Sequence, residues 1–365
     1  MNESSSSLLI DLITDRASVY SLSFGNWCDV IALSRQLGFL PFLYEKARDE
    51  KALEFLPQSV LSQLKSASLE VSRQQESIKW HLKQLCANNP QPIKAVLLKG
   101  AAYIIANKPN ANYRLLSDID LLVLKESISD AELWLFLNGF TISVSDEYDD
   151  FYYRQWMHEL PPFVSSVSGM ALDLHHNLLP LTSKRYIDSE LFFEKAREVE
   201  LNLFLPCDED LLIHSAVHLI QDSVFNRTLR DLSDQFWLLQ KYTENHESTD
   251  ALIVRSKELK LSNDLAKTLS LMNFIFKRCL LEREKSFIQN ELGNSFFWPL
   301  ERYCYITMLT QPVTSEWTFK HHFASSILYL KSHLIKMPFR LLVKHLFVKS
   351  QKRAKIFLNR KSVSL

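Results

Sequence analysis

In the run Ser117-Asp118-Ile119-Asp120-Leu121-Leu122-Val123, two carboxylates stand two residues apart at the head of an apolar stretch. On a strand, residues so spaced project from one face, so Asp118 and Asp120 point the same way while Ile119 packs behind. Neighbouring carboxylates repel unless a cation lies between them, and oxygen ligands of this kind suit Mg²⁺ or Mn²⁺. Magnesium keeps part of its water shell and shares further positions with substrate phosphates, as phosphoryl and nucleotidyl transfer require. A lone Asp-x-Asp is a weak signal, because solvated strand ends produce it often. The neighbouring residues decide.

Asp173, in Ala171-Leu172-Asp173-Leu174-His175, alternates with leucines and so turns away from the core side of a second strand. A half-buried Asp needs a partner, and a metal shared with Asp118 and Asp120 supplies one. There it would hold the metal that activates an acceptor hydroxyl, or act as general base. Upstream, Lys99-Gly100 reads as a strand-to-helix junction, where helix-start amides hold phosphate and Gly permits close approach. Lys99 and Arg114 add positive charge on the same side.

Among the histidines, His175 shares a face with Asp173 and is preferred over His176. His214 and His218 lie four apart on one helix face, but no Glu stands between them, so the His-Glu-x-x-His zinc pattern is absent. They read as structural or cleft histidines. For Arg230, Asp231 and Asp234, an Arg230–Asp234 salt bridge along the helix and a place in the cleft are equally consistent. Trp134, Trp156 and Trp237 read as core aromatics.

These residues need elements to position them. Helical periodicity runs from Ser5 to about Asn89, with Leu61, Leu64 and Leu69 on one stripe. Short β-like runs follow at Ile93–Leu98 and Ile119–Leu124, then a helix capped by Ser129 that stops at Asn138-Gly139. Phe163–Val167 and Met170–His176 form a hairpin turning at Ser168-Gly169. From Asp208 the pattern is helical again. The expected organisation is a helical N-terminal region at 1–90, an α/β core at 91–200, a helical domain at 201–315 and a basic helical tail at 316–365.

The stretch Leu97-Leu98-Lys99-Gly100-Ala101-Ala102, then Arg114, then Ser117 to Val123, resembles the nucleotidyltransferase signature of the DNA-polymerase-β-like superfamily. More narrowly it is similar to the bacterial uncharacterised nucleotidyltransferase family, which reads Leu-Lys-Gly-Ala and then Asp-Ile-Asp-Leu-Leu-Val. His158-Glu159-Leu160-Pro161-Pro162, Asp173-Leu174-His175, Leu211 to His218 and Arg230 to Asp234 match its later blocks, so the resemblance covers roughly Ile93 to Tyr242. It implies an α+β fold: a small polymerase-β-like sheet with helices, flanked by N-terminal and C-terminal helical regions.

The activity implied is metal-dependent transfer of an NMP from an NTP, ATP among them, to a hydroxyl or phosphate of a small molecule, sugar or peptide. Asp118, Asp120 and Asp173 would serve catalysis and metal, and Lys99, Gly100, Ala101, Arg114 and Ser117 the nucleotide. His158, His175, His218, Arg230 and Asp234 would belong to the cleft. Two departures stand out: Ala101 replaces the serine common in the superfamily, and the loop from Gly100 to Asp118 is longer. Neither removes a metal ligand.

Composition narrows the alternatives. With 47% hydrophobic and 23% charged residues, the 365-residue chain suits a globular protein, and six glycines argue against a glycine-rich doubly wound nucleotide fold. Five scattered cysteines form neither a disulfide framework nor a zinc pattern and fit a cytoplasmic setting. No signal-peptide pattern opens the sequence, and lysines interrupt the best apolar run. Formal net charge is zero, yet no acidic residue follows Glu316. That basic tail suits contact with an anionic membrane surface or nucleic acid, or packing on its own domain. Two other functions fit the same residues: a scaffold module that keeps the fold without turnover, in a surface-polysaccharide or peptide-modification system, and a toxin-like transferase acting on tRNA.

Overall fold

In the computed structural model, the described residues are 4–89, 92–143, 146–221, 225, 227–242 and 246–363, with backbone alone at 241, 246 and 352–363. Four helices open the chain: α1 (Ser5–Ile13), α2 (Phe24–Leu37), α3 (Leu40–Asp49) and α4 (Gln58–Ala87). Each of the first two starts on a serine whose side chain accepts a backbone amide, Ser4 from Ser7 and Ser23 from Asn26. The long helix α4 buries Val60, Leu64, Val71, Ile78, Leu82 and Leu85 along one stripe, while Leu69, expected on that stripe, is exposed.

Seven strands then build one mixed sheet: β1 (Ala95–Leu98), β2 (Asp118–Val123), β3 (Phe140–Ile142), β4 (Phe163–Ser165), β5 (Ala171–His175), β6 (Arg197–Glu200) and β7 (Leu203–Leu205). Their order is β3-β4-β5-β2-β1-β7-β6. Strand β2 is central, antiparallel to β1 and parallel to β5. All of β1, and β2 from Ile119 onward, are buried, as continuous apolar runs in covered strands should be. The helices among these strands are α5 (Lys99–Ile105), α6 (Ile128–Leu137), α7 (Glu147–Trp156) and α8 (Glu190–Glu194).

The expected hairpin is present: β4 and β5 pair antiparallel, and Gly169 in the turn takes a φ of +72°. Two expectations shift. Helix α6 starts at Ile128 behind a 3₁₀ turn, Lys125–Ser127, so Ser127 occupies the cap position and Ser129 lies within the first turn. The sheet also runs past residue 200, because β7, with buried Leu203 and Leu205, pairs parallel with β1. The loop after α5 folds as a 3₁₀ helix, Pro109–Tyr113, packed on α3 and α4.

A helical layer completes the chain: α9 (Asp208–Gln221), α10 (Thr228–Leu239), α11 (His246–Glu258), α12 (Ser262–Phe276), α13 (Glu282–Leu292), α14 (Trp298–Leu309), α15 (Phe319–Lys336) and α16 (Phe339–Val363). Helix α9 packs between α10 and α12 and also touches α5, which joins this layer to the sheet unit. Trp134, Trp156 and Trp237 are buried. No helix among the described residues is long and apolar enough to cross a membrane.

Candidate active site

The parallel register of β2 and β5 sets Asp118 opposite Ala171 and Asp120 opposite Asp173. Alternation therefore brings Asp118, Asp120, Asp173 and His175 to one side of the sheet. The antiparallel neighbour β1 ends beside them, with Leu98 opposite Asp120, so the next residue, Lys99, begins α5 over the same carboxylates. Its Nζ donates to Asp120 Oδ1 at 2.6 Å, and His175 Nε2 lies 2.9 Å from that oxygen. Lys99 reaches this position with a φ of +46°, a left-handed conformation costing a non-glycine residue about 1 kcal/mol. The ion pair offsets that strain.

The electrostatics separate the carboxylates. Burial alone would raise Asp120, but Lys99 and His175 outweigh it and hold that carboxyl well below the usual range. Asp118 is raised, by burial and then by the charge of Asp120. Asp173 is pushed up to about 7 by burial and by the charges of Glu159, Asp120 and Asp118. No hydrogen bond or ion pair holds Asp173 among the described residues. His175 resists burial and is raised by its bond to Asp120 and by Glu159. Burial and the nearby positive charges push His158 and His214 well below the ordinary histidine value, so both are neutral near pH 7.

A cleft of about 250 Å³ opens over these groups. It is lined by Lys99, Asp118, Asp173 and His175 from the sheet side, by His158 and Glu159, and by His214, Val217, His218 and Gln221 of α9 with Lys336 at the end of α15. Donor atoms of Asp120, Asp173 and His175 lie within 4.8 Å of one another, as do those of His158, Glu159 and His175. The set fits a divalent cation. Three carboxylates plus Glu159 converge on one lysine and one histidine, and the crowding of acidic groups falls on the unpartnered Asp173, whose ionisation a cation would favour.

Two charged residues of the cleft, Glu159 and Lys336, stand outside the sequence-based expectation. Glu159 arrives because 158–160 runs beside β5: Leu160 N–H donates to Leu174 O, and Glu159 bridges antiparallel to His175. It stood inside the His158-to-Pro162 element, where its acidic type next to a candidate histidine was the only clue. Lys336 arrives from far along the chain, held where Thr182 Oγ1 donates to the Lys336 carbonyl at 2.6 Å. No local pattern announces it.

Other expected residues lie elsewhere. Arg114 does not line this cleft: it forms an ion pair with Asp234, which also accepts from Asn110 Nδ2 at 2.9 Å. Arg230 pairs with Asp231 at 3.0 Å, so the Arg230–Asp234 pair along the helix is not formed. Charges this deeply buried need partners, and these four give one another theirs while tying the 3₁₀ turn at 109–113 to α10. Ser117 is exposed and donates to Asp118 Oδ1 at 3.0 Å. Gly100 and Ala101 are buried, and a Cβ on Gly100 would stand 2.1 Å from Leu116 Cδ2. The glycine serves close packing of the loop on α5.

A mixed sheet flanked by helices, with paired aspartates on its central strand, is consistent with a nucleotidyltransferase-like fold. The chain belongs to the uncharacterised nucleotidyltransferase family, whose family model matches residues 24–277. No curated protein matches, and no solved structure does. Membership supports general nucleotidyltransferase activity and so a nucleotide substrate. The matched segment ends before α15, so Lys336 lies outside it.

Proposed function

We propose that the protein transfers a nucleoside monophosphate from an NTP to a hydroxyl or phosphate of an acceptor, releasing pyrophosphate, with Mg²⁺ or Mn²⁺ bound in the cleft. The reading rests on the β2–β5 register, which sets Asp120 beside Asp173 under a cleft with a lysine from α5 and another from α15. Asp118, Asp120 and Asp173 would hold the metal, whose charge would neutralise phosphate oxygens and polarise the phosphorus under attack. Every other task falls to the chain's own side chains.

Lys99 and Lys336 attract the triphosphate, and Lys99 can exchange its bond with Asp120 for one to phosphate. His175 fixes the orientation of Asp120. Neutral His158 and His214 line the cleft as hydrogen-bonding groups without adding charge. Asp173, its carboxyl raised to about 7 in the free protein, takes the acceptor hydroxyl's proton in its ionised form as the new oxygen–phosphorus bond forms. The α–β phosphoanhydride bond breaks, and pyrophosphate leaves.

Pyrophosphate release from NTP with Mg²⁺ and cell extract as acceptor source tests this. Asp118→Ala and Asp120→Ala should each lower the rate roughly 100-fold or more, the order seen when one transition-state charge contact is removed. Unchanged turnover in both variants removes the metal-site reading.

A further inference from the structure

Helices α15 and α16 each bury one face against the body and leave an apolar stripe outside. On α15, Ala324, Leu328 and Ser332 are buried, while Phe319, Phe323, Leu330 and Leu334 are exposed. On α16, Leu342 and His345 are buried, and His345 stacks on Tyr148 and Tyr152 of α7. Lys349 adds an ion pair to Asp149. Outside lie Phe339 (68% exposed), Val343 (51%), Leu346 (45%) and Phe347 (62%). Spacings of three and four keep these on one side of the helix. Large apolar side chains aligned in stripes mark an interaction surface, unlike single exposed ones.

Charge selects the partner. From Trp317 to Leu365 the sequence holds eight Lys and three Arg, eleven cations, and no acidic residue. The remainder then carries 42 − 11 = 31 cations against all 42 acidic residues, a net −11, so a neutral chain is sharply polarised toward one basic end. Nucleic acid would use the cations but gives leucine and valine side chains nothing to enter. Lys331, Lys336 and Lys349 turn to Glu301, the cleft and Asp149, but a second copy packed face to face would still bring like charges such as Arg340 and Lys344 together. An anionic bilayer satisfies both features, with phosphates for the cations and acyl chains for the stripe.

We infer that the exposed face of α15 and α16 docks on an anionic membrane surface, the helices lying along it. The inference is independent of the transfer chemistry, but one element links them, since α15 also carries Lys336 into the cleft. Membrane contact and the cleft wall therefore share a helix.

Flotation of the full chain with vesicles tests it, comparing phosphatidylcholine alone with phosphatidylcholine containing phosphatidylglycerol, at low and high salt. Binding should require phosphatidylglycerol and weaken with salt. The double substitution Leu346→Glu with Phe347→Glu should lower partitioning roughly 100-fold, from the lost transfer of two large apolar side chains. Its thermal unfolding and nucleotide binding should match the parent protein. Arg340→Gln with Lys344→Gln should lower partitioning roughly 30-fold. Absence of binding to both vesicle types overturns the proposal, as does equal binding by the double-Glu variant. Preference for RNA over vesicles overturns it too, as does a dimer abolished by the Glu pair without any vesicle binding.

Discussion

A carboxyl whose pKa is raised inside a fold makes stability depend on pH, and Asp173 is such a group, raised from 3.8 to about 7. Because the folded value lies above the unfolded one, its contribution is fully present below about pH 4. It is lost as pH rises through 7, where charge is forced onto an unpartnered group. Asp173→Asn should therefore stabilise the metal-free protein on the order of 2 kcal/mol at pH 8, with a smaller gain at pH 5. Thermal melts at the two pH values check this, and equal shifts at both contradict it. The parent protein should also gain stability from Mg²⁺ at pH 8, and the variant should lose that response. Strand alternation made it legible that Asp118 shares a face with Asp120, and Asp173 with His175, while the β2–β5 register that joins the two pairs is not written in either strand alone. Arg114, read with Lys99 as positive charge beside the aspartates, is placed otherwise for an equally physical reason: burial requires a counter-charge, and Asp234 supplies it from 120 residues downstream.

Among the elements, the junction of β1 and α5 does most to place the site, since it aims Lys99 at Asp120 and lets the loop to β2 pack closely. Gly100 is the point of closest approach: an added Cβ would meet Leu116 Cδ2, Cδ1 and Cγ at 2.1, 2.9 and 3.1 Å. The whole buried Leu116 side chain would have to shift, so Gly100→Ala should destabilise the fold by about 1–3 kcal/mol. In a Leu116→Ala background the same glycine substitution should cost less, because the clashing side chain is gone. Denaturant unfolding of the single and double variants measures both, and additive losses would mean that the contact is not the cause. The β1–α5–β2 unit and the β4–β5 hairpin were readable from apolar runs and turn residues. Strands β6 and β7 were not: β6, Arg197–Glu200, is polar and mostly exposed, and β7 has three residues whose strand character comes from pairing with β1. Glu159 was hidden likewise, because a single bridge to His175 leaves no periodicity to read.

Over the whole molecule, the order of helices, sheet and helices followed from the sequence, while the way distant segments converge on the cleft did not. Residues from β2, β5, α5 and α9 meet Lys336, contributed from outside the family-matched segment. That convergence sets cationic side chains beside the carboxylate cluster, and family membership is what favours nucleotidyl over phosphoryl transfer. The two reactions break different bonds of the same NTP and leave different labels on the product. The direct measurement is incubation of the full chain with Mg²⁺, cell extract and NTP labelled at the α- or the γ-phosphate, followed by detection of labelled acceptor. Label should appear on the acceptor from the α-phosphate alone and disappear with Asp118→Ala. Transfer of the γ-label, or α-label transfer undiminished in that variant, would contradict the assignment.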